Sequence, residues 1–305
     1  MNGALLADKP SGPTSHDIVA FVRRTLKTPR VGHTGTLDPL ATGLLVLLVG
    51  HATRLAQFVS VDEKEYIADV RLGVATATYD AQELAPKADN RWSMTDAPSA
   101  EAIEQVLEIF RGTFQQQPPP FSAKKVGGVP AYKKARRAEA TELRPVEVTV
   151  RELVRISDIG PRPSDFDAAT LIRLRVAASA GFYVRSLAHD LGQALGCGAH
   201  LEALRRTRAG RFSVDDAVTL DAVEAKGADA LISPNALLAG MPGVRLTEAG
   251  TIRAGHGTPL RPHDAVDAPV ATGGGRMRLL DPTGSLVGVA EARPDGLLHP
   301  LVVLR

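Results

Sequence analysis

The longest apolar run in the chain is LLVLLV, Leu44 to Val49, and it restricts the possible folds more than any other stretch. Six residues are far short of the roughly 20 needed to cross a bilayer. Ala41-Thr42-Gly43 breaks any helix before the run begins, so it reads as a buried strand. A chain of 305 residues, 44% hydrophobic and 23% charged, can bury such a strand in a substantial core and has room for two domains.

The residues leading into that strand are GHTGTLDPLATG, 32 to 43. Asp38 followed by Pro39 has the form of a helix start, but a helix there would end within about one turn. What remains is a loop with three glycines, able to approach a ligand closely, that presents a single carboxylate.

Elsewhere in the first part, strand-like and helix-like stretches are mixed. Ile18, Val19, Val22 and Leu26 share one helical face, and Tyr66 to Leu72 alternates as a strand does. A helix is expected near Ala100 to Phe110, a strand over Leu171 to Val176, and a helix over Tyr183 to Leu195. This order predicts an α+β domain around a mixed, largely antiparallel sheet flanked by helices. Beyond Met241-Pro242-Gly243 the pattern changes to short β-like pieces, RMRLLD, SLVGVAEA and LLHPLVVL, which predict a small C-terminal β-barrel. The Gly-rich TGGGRMR, 272 to 278, predicts a hairpin turn in that region and lacks the ending of a phosphate-binding loop.

The net charge of +2 is unevenly distributed. Lys124, Lys125, Lys133, Lys134, Arg136 and Arg137 fall between Pro120 and Arg137 with no acid, a local +6 that leaves −4 on the rest. Residues 115 to 130, rich in Pro and Gly, predict an exposed mobile excursion, and its cations suit an anionic partner. Cys197 is the only cysteine, so there is no intramolecular disulfide and no Cys-rich metal site. The opening MNGALLADKPSG has no basic n-region and only a short apolar run, giving the expectation of a cytoplasmic protein with no membrane partner. His16-Asp17, His189-Asp190 and His263-Asp264 could suggest a metal-dependent phosphohydrolase, but no further ligands stand at ligand spacing.

ADKPSGPTSHD, GHTGTLDPLATGLL, KEYIADVRLG, QPPPFSAKK, ASAGFYVRSLAHDLG and CGAHLEALRRTRAGRF, in that order, resemble the TruB family of tRNA pseudouridine synthases across most of residues 5 to 215. The resemblance implies the pseudouridine synthase fold and isomerisation of the uridine at tRNA position 55, in the T-arm stem-loop, with no cofactor and no metal. Asp38 matches the catalytic carboxylate, a group able to act as nucleophile or to stabilise a cationic sugar.

The matching Arg185 would pair with Asp38. It stands in the first turn of its helix, where the helix dipole disfavours a cation by about 0.3 to 1 kcal/mol, so another interaction should hold it there. Tyr66, which alone reads as a core aromatic, would be the ring on which the flipped uracil stacks. His33, alone a hydrogen-bonded loop residue, would lie against RNA. Lys9 and Pro10 would support the floor of the site, with Lys9 counted among the substrate-binding residues. Leu204 would line the uracil pocket with Arg205 and Arg206 beside it.

The resemblance further implies a catalytic domain over 1–240, with an RNA-clamping insertion at about 118–137 carrying Lys124, Lys125, Lys133, Lys134 and Arg136. A PUA-like RNA-binding domain would follow over 243–305. Phe121, Arg137 and TATYDAQ (76–82) depart from the family pattern at positions not expected to touch the chemistry. A monomer with no obligate protein partner is expected. The alternatives are a non-catalytic RNA-binding or tRNA-folding protein, against which Asp38, Tyr66 and Arg185 argue, and a guide-RNA-dependent synthase related to dyskerin.

Overall fold

LLVLLV forms a strand with both faces covered. The computed structural model describes residues 1–59, 63–82, 98–121, 143–156, 171–267 and 275–304, together with the backbone of 125–126, 129–130 and 157–158. In chain order the strands of the main sheet are β1 (Gly3–Lys9), β2 (Val31–His33), β3 (Thr42–Val49), β4 (Lys64–Leu72) and β5 (Gly112–Gln116). After β6 (Lys125–Val126) and β7 (Val129–Pro130), which pair with each other, come β8 (Val146–Asp158), β9 (Leu171–Ala178), β10 (Ala199–Ala209) and β11 (Phe212–Ser213). The order across the sheet is β1-β3-β10-β4-β9-β8-β5, with β2 on β3 and β11 on β10. All pairings are antiparallel except β3 with β10, which meet only at Thr42–Arg205 and Gly43–Arg206.

The helices are α1 (Ser15–Thr25), α2 (Ala56–Val59), α3 (Ala100–Ile109), α4 (Val184–Ala194), α5 (Leu220–Lys226), α6 (Pro234–Leu237) and α7 (Glu248–Gly255). Leu45, Leu47 and Val49 join a core with α1, α3 and α4. Leu44, Val46 and Leu48 join a second core with Leu55, Val59, Leu237, Leu238 and Val289 on the opposite face. Covering both faces of these six side chains contributes on the order of 10 kcal/mol before chain entropy is set against it.

The C-terminal strands, β12 (Gly243–Arg245), β13 (Arg276–Leu280), β14 (Leu286–Ala292) and β15 (Leu298–Val303), form a four-stranded sheet with a small core of its own. Val289, with Leu286 and Val302, also packs behind β1 and β3, so this part is attached to the main sheet. The strand-only reading of this region missed α7. Two of its eight residues are glycines, which hides its helical pattern. Gly250 is required by contact, since a Cβ there would lie 2.0 Å from the Asp264 carbonyl oxygen. Thr272, Gly273 and Gly274, expected in a hairpin turn, lie outside the described residues.

Candidate active site

The loop from Thr34 to Ala41 joins β2 to β3, and three side chains with little or no exposure hold its backbone from below. Ser15, at the start of α1, donates to the Leu37 carbonyl at 3.0 Å and accepts from the Leu37 N–H at 2.8 Å. Lys9, at the end of β1, is 0% exposed, and its ammonium donates to the carbonyls of Pro10 (2.9 Å), Pro39 (3.2 Å) and Ala41 (2.7 Å). Arg206, on β10, donates to the carbonyls of Leu44 (2.7 Å), Gly35 (3.1 Å) and Thr36 (3.5 Å). Arg206 reaches these carbonyls because β3 and β10 approach closely at Gly43. There φ is +96° and a Cβ would lie 2.3 Å from the Arg206 carbonyl oxygen, so only glycine fits. The Gly-rich sequence therefore produces a braced loop.

Asp38 stands on that loop at the wall of a cavity of about 370 Å³, lined also by Tyr66, Phe182, Arg185, Leu204 and Arg206. The Arg185 guanidinium lies between two carboxylates. Its Nε is 2.8 Å from Asp38 Oδ2, and its Nη2 donates to Asp38 Oδ1 at 3.2 Å. Its Nη1 is 3.4 Å from Asp80 Oδ2 and donates to the Thr78 carbonyl at 3.2 Å, and Nη2 also donates to the Phe121 carbonyl at 2.9 Å. These contacts supply what the helix dipole withholds from a cation in the first turn of α4. The Arg185 side chain is 7% exposed and that of Asp38 33%, so the carboxylate is the member of the pair that opens to the cavity.

Burial pushes the Asp38 carboxyl above the usual Asp range. Arg185 pulls it back, and the negative charge of Asp80 adds to the rise. Burial brings the Lys9 ammonium down to about 8, opposed by Asp38.

The first turn of α4 is fixed from the side by the end of β5. Tyr183, the N-cap residue, makes no side-chain capping bond, and the buried carboxamide of Gln116 holds its backbone instead. It accepts from the Tyr183 N–H at 2.8 Å and donates to the Tyr183 carbonyl at 3.0 Å. Ser186 donates to the Gln117 carbonyl at 2.7 Å. Thus Gln116, Pro118 and Pro119 are buried, which corrects the expectation that the whole stretch 115–130 is an exposed excursion.

Asp38, Arg185, Tyr66 and Leu204 line one cavity. Tyr66 is both a core residue and a cavity wall, packed in one cluster with Phe182 and Leu204. His33 sits beside the cavity without lining it, half-buried and edge-on to His16 at 5.7 Å between ring centroids. Burial, His16 and Arg206 lower its pKa, which favours the neutral ring.

Lys9 and Arg206 brace the loop beneath the site through backbone carbonyls, and Arg206 also lines the cavity. Two expectations need correction. Arg205 points away from the cavity and forms a two-bond pair with Asp8, at 3.0 and 2.8 Å. TATYDAQ and Phe121 do touch the site, through Asp80, Thr78 and the Phe121 carbonyl. Lys124, Lys133, Lys134 and Arg136 lie outside the described residues, as does the side chain of Lys125. Among the described residues no three His, Cys, Asp or Glu side chains cluster as metal ligands would, and no helix is long and apolar enough to cross a membrane.

Sequence reasoning missed Asp80, which is 1% exposed and receives bonds from the Thr78 hydroxyl (2.7 Å) and the Gln82 N–H (3.2 Å). It also missed Tyr79, whose φ is +65° and whose ring stacks on His189 at 3.8 Å, one helical turn beyond Arg185. The signal for Asp80 was an aspartate directly after Thr78 and Tyr79 in a segment that departs from the family pattern.

A family model described as TruB family pseudouridylate synthase (N terminal domain) matches residues 23–184. A model of the tRNA pseudouridylate synthase B C-terminal domain matches residues 185–234. The chain is 43% identical over 311 aligned positions to a tRNA pseudouridine synthase B of Solibacter usitatus, with all of both proteins covered. It is 41% identical to proteins of the same name from Burkholderia mallei, covering 98% of this chain and 96% of that one, and Thermobifida fusca, covering 99% and 98%. Among solved structures, a chain of an H/ACA ribonucleoprotein bound to a substrate RNA superposes with a TM-score of 0.69 at 23% identity. The match covers 99% of this chain and 85% of that one, a likeness of fold.

Proposed function

The chain belongs to the TruB family of pseudouridylate synthases, and on that premise we propose that it isomerises the uridine at position 55 in the T-arm of tRNA, with Asp38 as its catalytic carboxylate. It is an isomerase acting on tRNA uridine. The observation that carries the residue assignment is the position of Asp38, open to the cavity and held by Arg185 on a braced loop.

In the reaction the bond from C1′ to N1 of uracil is replaced by one from C1′ to C5, while C5 loses a proton and N1 gains one. Attack at C1′ or at C6 alike requires Asp38 in its ionised form, and Arg185 keeps it oriented. A nucleotide reaches such a cavity only by leaving its stack, and Tyr66 and Leu204 offer the flipped uracil an apolar and aromatic wall. Residues 1–240 would form the catalytic domain, with an RNA-binding insertion near 118–137, and residues 243–305 a PUA-like RNA-binding domain. The protein would act as a monomer without an obligate partner.

The test is incubation of the pure protein with an unmodified T-arm stem-loop, followed by assay for pseudouridine. Conversion at the single uridine equivalent to position 55 is expected. Conversion elsewhere, or only when a guide RNA and partner proteins are added, would overturn the reading.

A further inference from the structure

Residues 18 to 37 contain Arg23, Arg24, Lys27 and Arg30 and no acid. The structure collects these cations where α1 ends and β2 begins, all four exposed. Arg23 is committed to the fold, donating to the Val31 carbonyl at 3.0 Å. Among the described residues Arg24, Lys27 and Arg30 have no ion pair and no side-chain hydrogen bond, whereas Arg71, Arg111, Arg151, Arg173, Arg175 and Arg205 are each paired with an acid.

The negative end of the α1 dipole explains part of the cluster, since cations in a last turn are favoured by about 0.3 to 1 kcal/mol. It does not explain Lys27. The helix ends in a Schellman motif, with the Lys27 N–H bonded to the Arg24 carbonyl at 3.2 Å and the Thr28 N–H to the Arg23 carbonyl at 3.1 Å. Lys27 takes the left-handed position of that motif, with φ at +48°, where glycine would fit without strain. A lysine stands at a position that favours glycine, beside two more unpaired cations.

The cluster is connected to the cavity by two rigid elements. Helix α1 runs about 16 Å from it to Ser15, which holds Leu37. Strand β2 runs from it to Thr34, which lines the cavity. Taken as the scale of the separation, these lengths are about 16 Å along α1 and about 13 Å along the four residues from Arg30 to Thr34. At about 3.4 Å per nucleotide along a strand, they give four or five nucleotides.

We infer that Arg24, Lys27 and Arg30 bind the phosphates of the RNA strand that leads away from the target uridine, four or five nucleotides from it. This rests on the proposed tRNA reading and gives the substrate stem a docking surface separate from the insertion at 118–137. The test is a triple variant, Arg24→Ala, Lys27→Gly and Arg30→Ala, with Arg23 left intact because it holds β2. Affinity for the unmodified T-arm stem-loop is measured against salt, beside a loop-only RNA with its stem deleted.

Losing three phosphate contacts should lower the slope of log affinity against log salt by about 2 to 3. Between 50 and 200 mM salt, the variant should therefore lose roughly 20- to 40-fold less affinity for the stem-loop than the wild type loses, with no such change for the loop-only RNA. Lys27→Gly alone should bind the stem-loop more weakly while melting at a higher temperature, a combination that a purely structural lysine would not give. An unchanged slope, or equal changes for both RNAs, would overturn the inference. Failure of the wild type to convert the stem-loop would instead count against the proposed reaction.

Discussion

Replacing Lys9 by Met keeps an unbranched apolar stem in the same space and removes three donors. The carbonyls of Pro10, Pro39 and Ala41 then lose their ammonium partner beneath the Asp38 loop. Hydrogen bonds from a charged donor are worth roughly 1.5 to 3 kcal/mol each, so their loss costs about 4 to 9 kcal/mol. Against this, the ammonium is costly to bury. Its pKa is lowered from 10.5 to about 8, and at 1.36 kcal/mol per unit the substitution recovers roughly 3 kcal/mol.

The net expectation is a loss of about 1 to 6 kcal/mol, read as a lower denaturant midpoint with an unchanged m-value. Catalysis should fall further than stability, because the freed carbonyls carry the loop on which Asp38 stands. The pH dependence has a definite sign. Between about 8 and 10.5 the unfolded chain holds more protons at this group than the folded one does, so the wild type gains stability relative to Lys9→Met as pH rises. Over the same interval its activity should decline, since a neutral amine has two donors for three carbonyls. Equal midpoints for the two proteins, with equal turnover, would refute the idea that Lys9 holds the loop.

Three further outcomes are expected. Because burial raises the Asp38 pKa, kcat/KM should fall on acidification with a midpoint above the ordinary Asp value of about 3.9, and Arg185→Gln, removing the cation that opposes the rise, should move that limb higher still; a pH–rate profile with no upward displacement would contradict this. Gln116→Leu removes both bonds to Tyr183 and should lower kcat with little change in KM for RNA while shifting the same acid limb, whereas a variant that only melts earlier would show that Gln116 merely caps α4. Tyr66→Ala should weaken RNA processing by about 1 to 3 kcal/mol if the ring carries a stacked base, and Tyr66→Phe should retain binding; an Ala variant inactive only through unfolding, seen by circular dichroism, would leave Tyr66 a core residue.

Asp38 stood out as a lone carboxylate in a Gly-rich loop, but a turn or a cap explains such an aspartate more readily, and its catalytic reading came from the resemblance carried by GHTGTLDPLATG. Arg185 was legible because its place in a first helical turn opposes the dipole. The floor-supporting role of Lys9 came only from the resemblance: nothing in its local sequence signals burial, which depends on carbonyls some 30 residues away that β1 and β3 bring together. Asp80 was missed for a related reason. It lies in an irregular segment with no hydrophobic period, and its partner is on α4, more than 100 residues later. Arg205 and Arg206 illustrate the alternation of a strand, since neighbours on β10 point to opposite faces and only Arg206 can reach the loop. Helix α7 escaped because the glycine its packing requires is the residue that lowers its helix propensity.

The central claim is that Asp38 performs the chemistry rather than holding the loop or the RNA. Asp38→Asn is nearly isosteric and removes only the negative charge, so turnover and affinity can be measured on one folded protein with a T-arm stem-loop. The account predicts that pseudouridine formation under saturating RNA disappears while the dissociation constant for RNA stays within a few-fold of wild type. Turnover near the wild-type rate, or a loss of activity fully explained by lost RNA binding, would contradict it.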